Sequence, residues 1–566
     1  MHLSLLVVLL AAATPSKSDA QFEAFAKKHI HDLLEREPET ATRLGEHRYD
    51  ARLNDYSAAG VRKDVAEARA ALAALSRIDV STLSPENSVD ARILKNRLES
   101  QVYELETIRS WQWNPLRYNV GGAINALISR EFAPEAQRLR SVIGRLEGVP
   151  AVVAAAKANL TAPPRVHTET AMQQNKGTLH LVKEELEPLA KQVPALDKEF
   201  RAAQAKAVAA LEQYQEWLEK DLFPRSTGEF RLGDQKFRTR LRFALDSDLP
   251  KEEILRRAEA DLRQTQSAMY ATALELWPRM FPGTQPPQER SKVIKAVLDE
   301  AAKKHPNNET VIGQATKDLA EATAFVREKG IVGVPHDPVT VLPTPEFQRG
   351  VAVASCNSAG PLEKNQKTFY YISPTPADWT AQRVESFFRE YNDDMLQEIT
   401  VHEAMPGHYL QLAHANRFRA PTLVRAVAPS GTFIEGWATY SEQLMADAGY
   451  GGPAVRVQQL KMRLRFILNA ILDQKIHTDG MSERDAIARM MNDGFQEEGE
   501  AVGKWKRAQL TATQLSTYYV GNAELNDIRA AWEKNHGKYP DLRSFHDAMI
   551  SFGNAAPKYV RERMGL

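Results

Sequence analysis

The sequence predicts a mainly α protein: a large helical chain with one small β-sheet. Three observations predict it. First, apolar residues recur at three- and four-residue spacing between charged ones over residues 88–110, 133–160, 168–187, 196–222 and 251–276, which is the period of an amphipathic helix. Second, the texture changes near residue 330. Residues 330–345 carry Pro335, Pro338, Pro343 and Pro345 among β-branched side chains and read as extended chain. Lys367-Thr368-Phe369-Tyr370-Tyr371-Ile372-Ser373 reads as a strand, because aromatic and β-branched residues suit a pleated surface. Third, helical periodicity returns after Thr380, over 383–393, 398–408, 433–447, 455–478 and 482–493. Turn signals separate the early helices, as at Ala162-Pro163-Pro164, and no period of 20–50 residues repeats, which excludes a solenoid. The expected organisation is a helical N-terminal part over 21–330 and a helical part with the small sheet over 331–566, or one continuous domain over 21–566.

With 566 residues, 43% of them apolar and 26% charged, the chain buries a substantial core. Lys+Arg and Asp+Glu both count 73, so the basic footprint of a nucleic-acid binder is missing. A mean hydropathy of -0.44 with a single apolar run excludes a polytopic membrane protein. That run, residues 5–13, is about half the length of a membrane span, and small residues follow it up to Ala20. It reads as a signal peptide over residues 1–20 with cleavage after Ala13 or Ala20, although no Lys or Arg precedes it. The mature protein is expected in the periplasm or secreted, with no integral membrane span. The single cysteine, Cys356, excludes a disulfide framework and a thiolate metal cluster. Any bound metal must be held by His, Asp and Glu.

The chemistry-bearing stretch is Glu398-Ile399-Thr400-Val401-His402-Glu403-Ala404-Met405-Pro406-Gly407-His408-Tyr409-Leu410-Gln411. A His-Glu pair followed by a second His is how many zinc hydrolases build a site, with two neutral imidazoles as ligands and the Glu activating the metal's water. Here six residues separate His402 from His408. On a continuous helix that spacing leaves the rings about 120° apart, unable to share one ion. Pro406 resolves the conflict, since its ring would collide with the His402 carbonyl and Gly407 tolerates unusual backbone angles. A kink or bulge between the histidines is therefore expected. A third ligand is needed, and Glu435 in Phe433-Ile434-Glu435-Gly436-Trp437-Ala438-Thr439-Tyr440-Ser441-Glu442 is the candidate. Glu442, seven residues on and nearly on the same face, is placed to orient an imidazole.

The His402-Glu403-Ala404-Met405-Pro406-Gly407-His408 segment with Gln411 resembles the hallmark of the bacterial domain-of-unknown-function 885 family. Asp473 to His477, Tyr518-Tyr519-Val520-Gly521, Arg543-Ser544-Phe545-His546-Asp547 and Gly553 extend the likeness over most of the chain. Glu435-Gly436-Trp437 resembles the third-ligand helix of gluzincin zinc peptidases, which hold zinc with two His and one Glu. The resemblance implies a gluzincin-like, mainly helical Zn2+-dependent hydrolase, a peptidase, with the sheet beside a zinc-binding helix pair and His402, His408 and Glu435 as ligands.

In that scheme Glu403 is the general base. The oxyanion formed on a carbonyl needs a further donor, for which Tyr518 is the first choice and Tyr519, His477 and His546 compete. The two tyrosines read more often as packing aromatics than as donors, His546 equally as a core histidine, and Glu435 also as a residue that caps or bridges a helix. The strand at 369–373 offers an edge for an extended peptide. His414 is expected to face solvent or a neighbour, Cys356 to be inert, and the acidic run 496–500 to be a solvated face. Three functions stay in view: a metallopeptidase acting on short peptides, a zinc amidase or esterase acting on a small or cyclic amide, and a non-catalytic helical binding protein with a structural metal.

Overall fold

The computed structural model describes residues 16–344, 353–364, 367–377, 379–537 and 541–566. Most of the expected signal peptide, residues 1–15, lies outside them. The described chain is mainly helical with one three-stranded sheet, as its periodicity predicts. The helix α1, Lys17–Arg36, shows the local logic. Ser16 caps it, its Oγ accepting from the Asp19 amide at 3.0 Å, and Phe22, Ala26, Ile30, Leu33 and Leu34 are buried at helical spacing. Further helices of the N-terminal half are α2, Pro85–Tyr103, α3, Glu135–Asn159, α4, Asp197–Trp217, and α5, Lys251–Met280.

Apolar side chains gather into three cores. One lies between α3 and α4. A second joins α5 to α9, Gly452–Thr478, a helix with buried residues on every face, as befits an element surrounded by others. The largest joins α1 and α2 to the sheet and to the helices that carry the candidate site. Residues 22–98, 388–455 and 525–560 therefore contribute to one core, while 457–520 contribute to the second.

The sheet comprises β1, Val339–Pro343, β2, Ala354–Asn357, and β3, Thr368–Ile372. Its order is β1-β3-β2, with β1 parallel and β2 antiparallel to β3. In β3, Thr368, Tyr370 and Ile372 are buried while Phe369 and Tyr371 are half-buried, the two-residue alternation of a strand. Tyr370 Oη meets Thr400 Oγ1 at 3.0 Å and docks the sheet on α6, Asp393–Glu403. The expected open edge at 369–373 is corrected here. That segment is the central strand, and both its edges are taken; the outer edges of the sheet belong to β1 and β2.

Candidate metal centre

Three helices deliver the site. His402 ends α6, His408 begins α7, His408–Ala415, and Glu435 stands in the second turn of α8, Gly431–Asp447. The expected kink is in fact a full break. The helix stops at Glu403, Ala404 leaves helical angles, the Met405–Pro406 peptide is cis, and a new helix starts at His408. The break is tied from outside itself: Trp437 Nε1 on α8 donates to the Pro406 carbonyl at 2.8 Å. Inside it, the Gly407 amide donates to the Val401 carbonyl at 2.9 Å. A Cβ on Gly407 would stand 1.8 Å from the His402 carbonyl oxygen, so only glycine fits.

The break brings the rings together. Their centroids are 4.7 Å apart at 86°. Glu435 Oε2 lies 3.4 Å from His408 Nε2 and 3.9 Å from His402 Nε2. One ligand atom from each of the three residues falls within 4.8 Å of the others, so the group could hold one metal ion. Two observations fit that use. Glu435 Oε2 is buried without a hydrogen-bond partner, a costly state for a carboxylate oxygen unless a cation joins it. Two nitrogens and one oxygen are also the protein donor set of many catalytic zinc sites.

The surroundings set the charges. His402 Nδ1 lies 2.6 Å from Glu442 Oε1. In the tautomer that donates this proton, the Nε2 lone pair faces the other two ligands. Burial and the neighbouring His408 charge press the His402 imidazolium below its ordinary range. Burial acts the same way on His408, but the Glu435 carboxylate outweighs it and the net shift is upward. Burial alone would raise Glu435; the two imidazoles overcome it and hold the carboxyl below its usual value. Beneath them lies Glu398, fully buried one turn before His402. Burial and the proximity of Glu442 push Glu398 well up, and burial pushes Glu442 up as well.

Glu403 sits beside the triad, its Oε2 accepting the Cys356 amide of β2 at 2.9 Å. Burial and the Glu403 charge drive the Cys356 thiol far up, so it stays protonated. Tyr518 lies in α11, Ser516–His536, three residues before Gly521. Gly521 and Gly436 let α11 and α8 touch: a Cβ on Gly436 would stand 2.5 Å from Gly521 Cα. Tyr518 is thereby brought to the side of α8 that bears Glu435, whose charge, after burial, helps raise the phenol's pKa.

The other oxyanion candidates are not brought to the triad. His546 is fully buried with both ring nitrogens in use, Nδ1 at 2.7 Å from the Ile331 carbonyl and Nε2 at 3.1 Å from Tyr440 Oη. Burial presses it to about 4. His477 is buried on α9, its Nε2 at 3.0 Å from the Ala508 carbonyl and 3.1 Å from that of Thr511. Tyr519 donates to Asp261 at 2.8 Å. His414 does face a neighbour, the Gly333 carbonyl at 2.8 Å. The acidic run is not wholly solvated, since Glu500 turns inward to Arg465.

No helix among the described residues is long and apolar enough to cross a membrane. No curated protein matches the chain. Among solved structures, a candidate lipoprotein of unknown function from Shewanella oneidensis aligns with a TM-score of 0.81 and 34% identity, covering 96% of this chain and 100% of its own. A candidate lipoprotein from Colwellia psychrerythraea aligns with a TM-score of 0.78 and 17% identity, covering 97% and 98%. An M32 carboxypeptidase from Deinococcus radiodurans R1, at a TM-score of 0.39 and 12% identity over 97% and 96%, is too unlike this chain to bear on its fold or activity. Residues 38–564 match the family described as bacterial protein of unknown function (DUF885), and the chain belongs to that family.

Proposed function

We propose that this chain is an exported Zn2+-dependent metallopeptidase that hydrolyses short peptides. The observation that carries the reading is the convergence of His402, His408 and Glu435 on one point with Glu403 on the adjoining turn. Zinc held by those three residues would lower the pKa of a water into the neutral range and polarise a carbonyl. Glu403 is the proton carrier. Its Oε2 is fixed by the Cys356 amide, leaving Oε1 to take a proton and hand it to the leaving amine. Tyr518 is the oxyanion donor. Its Oη accepts from Arg507 at 3.0 Å and from Gln514 at 3.5 Å, so its own O–H is left to give to a developing negative charge. A peptide is favoured over other acyl substrates because the outer edge of β2, the strand that holds Glu403, pairs with no further strand among the described residues and can take an extended chain. The apolar run at 5–13 supports export.

The test is metal analysis and turnover on a panel of short peptides, blocked amides and esters. Glu403→Gln is expected to keep its zinc and lose about 10²–10⁴-fold in kcat. His402→Ala is expected to lose the metal. Undiminished turnover in the first variant, or stoichiometric zinc in the second, refutes the assignment. Cleavage confined to the amides or esters would move the substrate class.

A further inference from the structure

The helix α10, Glu498–Leu510, passes beside the site with Glu500, Lys504 and Arg507 at i, i+4 and i+7, one stripe along one face. At one end Glu500 is neutralised by Arg465 of α9, with Tyr391 Oη donating to it at 3.2 Å. At the other end Arg507 donates to Tyr518 Oη at 3.0 Å and to Gln514 Oε1 at 2.8 Å; neither partner carries a charge. Lys504 lies between them. It is 6% exposed, and among the described residues it has no hydrogen-bond or ion-pair partner. Two basic side chains three residues apart on one helical face therefore stand without a carboxylate of their own, next to the proposed oxyanion donor. The carboxylate whose charge Arg507 does reach, Glu435, is turned to the two imidazoles.

A buried, unpaired ammonium is unfavourable unless something pairs with it. Burial, and then the positive charges of Arg465 and Arg507, hold Lys504 well below an ordinary lysine. Resting on the hydrolase reading, we infer that Lys504 and Arg507 form a subsite for a carboxylate of the substrate. Arg507 gives two fixed hydrogen bonds to position Tyr518 and keeps other N–H groups free. Lys504 gives a point charge whose burial penalty falls when an anion arrives. The carboxylate comes from the C-terminus of a short peptide or from an acidic side chain, and the experiment separates the two.

Calorimetric binding is measured on zinc-loaded Glu403→Gln protein with four probes. Ala-Ala-Ala is compared with its C-terminal amide, and N-acetyl-Ala-Glu-Ala-amide with its Gln counterpart. At least one acid is expected to bind about tenfold or more tighter than its neutral partner. Lys504→Met and Arg507→Met, each added singly, are expected to erase that preference. The Lys504→Met protein should also melt higher than its parent, which reports that it is folded. Equal affinities within both pairs, no binding of any probe, or a preference that survives both substitutions overturns the proposal. The readout is binding, so a protein that cleaves peptides can still fail it, and one that cleaves nothing can still pass.

Discussion

Gly407 has no room for a side chain, and this makes it a sharp probe of the ligand geometry. Gly407→Ala must push the break apart, because the new carbon would overlap the carbonyl of the first ligand residue. A loss on the order of 3 kcal/mol of stability is expected, with zinc binding lost more completely than fold, measured by metal content beside thermal melting. Glu442→Gln should act more mildly. It leaves the three proposed ligands but weakens the hydrogen bond that orients His402, so zinc affinity should fall about 10–100-fold, read by competition with a chelator. The clustering of His402, His408 and Glu435 is legible in the sequence because Pro406-Gly407 announces a disruption and Glu435-Gly436-Trp437 announces a close helix. Glu398 is less so: it lies four residues before His402, but nothing in the order of residues says that Glu442 will lie against it. His477 and His546 show how sequence leaves a histidine's partners open. A histidine engaged inside the core, as His546 is by the Ile331 carbonyl and the Tyr440 hydroxyl, looks in sequence like one that serves a substrate.

At the level of elements, the first turn of α1 bears on export. Asp19 is buried, and Ser84 and Asn87 donate to its Oδ1 at 2.8–2.9 Å. Burial would raise its pKa, yet these bonds hold it far below the usual carboxylate range. Cleavage after Ala20 would remove this residue together with the Ser16 cap. The mature N-terminus is therefore expected close to Thr14, consistent with cleavage after Ala13, and N-terminal sequencing of the exported protein checks it. Asp19→Ala should cost about 1–3 kcal/mol, since it strands the Ser84 and Asn87 donors, seen as a lowered denaturation midpoint. Helices such as those read at 251–276, 433–447 and 455–478 fall within a few residues of Lys251–Met280, Gly431–Asp447 and Gly452–Thr478. The break between α6 and α7 is readable only as a kink, because its completion depends on Trp437 gripping Pro406 from another helix. Strand β2 is not readable at all. Ala354-Ser355-Cys356-Asn357 has no strand signature of its own, and only pairing with β3 defines it.

Across the whole molecule, distant parts are held by a titratable latch. His47 lies between Asp50 at 2.8 Å and Glu363 at 3.2 Å and stacks on Phe132, joining the N-terminal helices to the segment between β2 and β3. Burial lowers its pKa, but the two carboxylates dominate and raise it to about 9. With an unfolded value near ~6.5, the stabilisation is complete below that pH and disappears as pH rises through about 9. The melting temperature should therefore drop more between pH 6.5 and 9 in the parent than in His47→Gln, as a pH series by calorimetry would record.

Cys356, the sole thiol of the chain, hangs on the same backbone unit that grips Glu403, and its proton is firmly held. Alkylating reagents should find it sluggish for as long as that strand stays in place. The rate of its modification then serves as a built-in gauge: anything that lifts the strand away from Glu403 would announce itself as a faster-labelling sulfur.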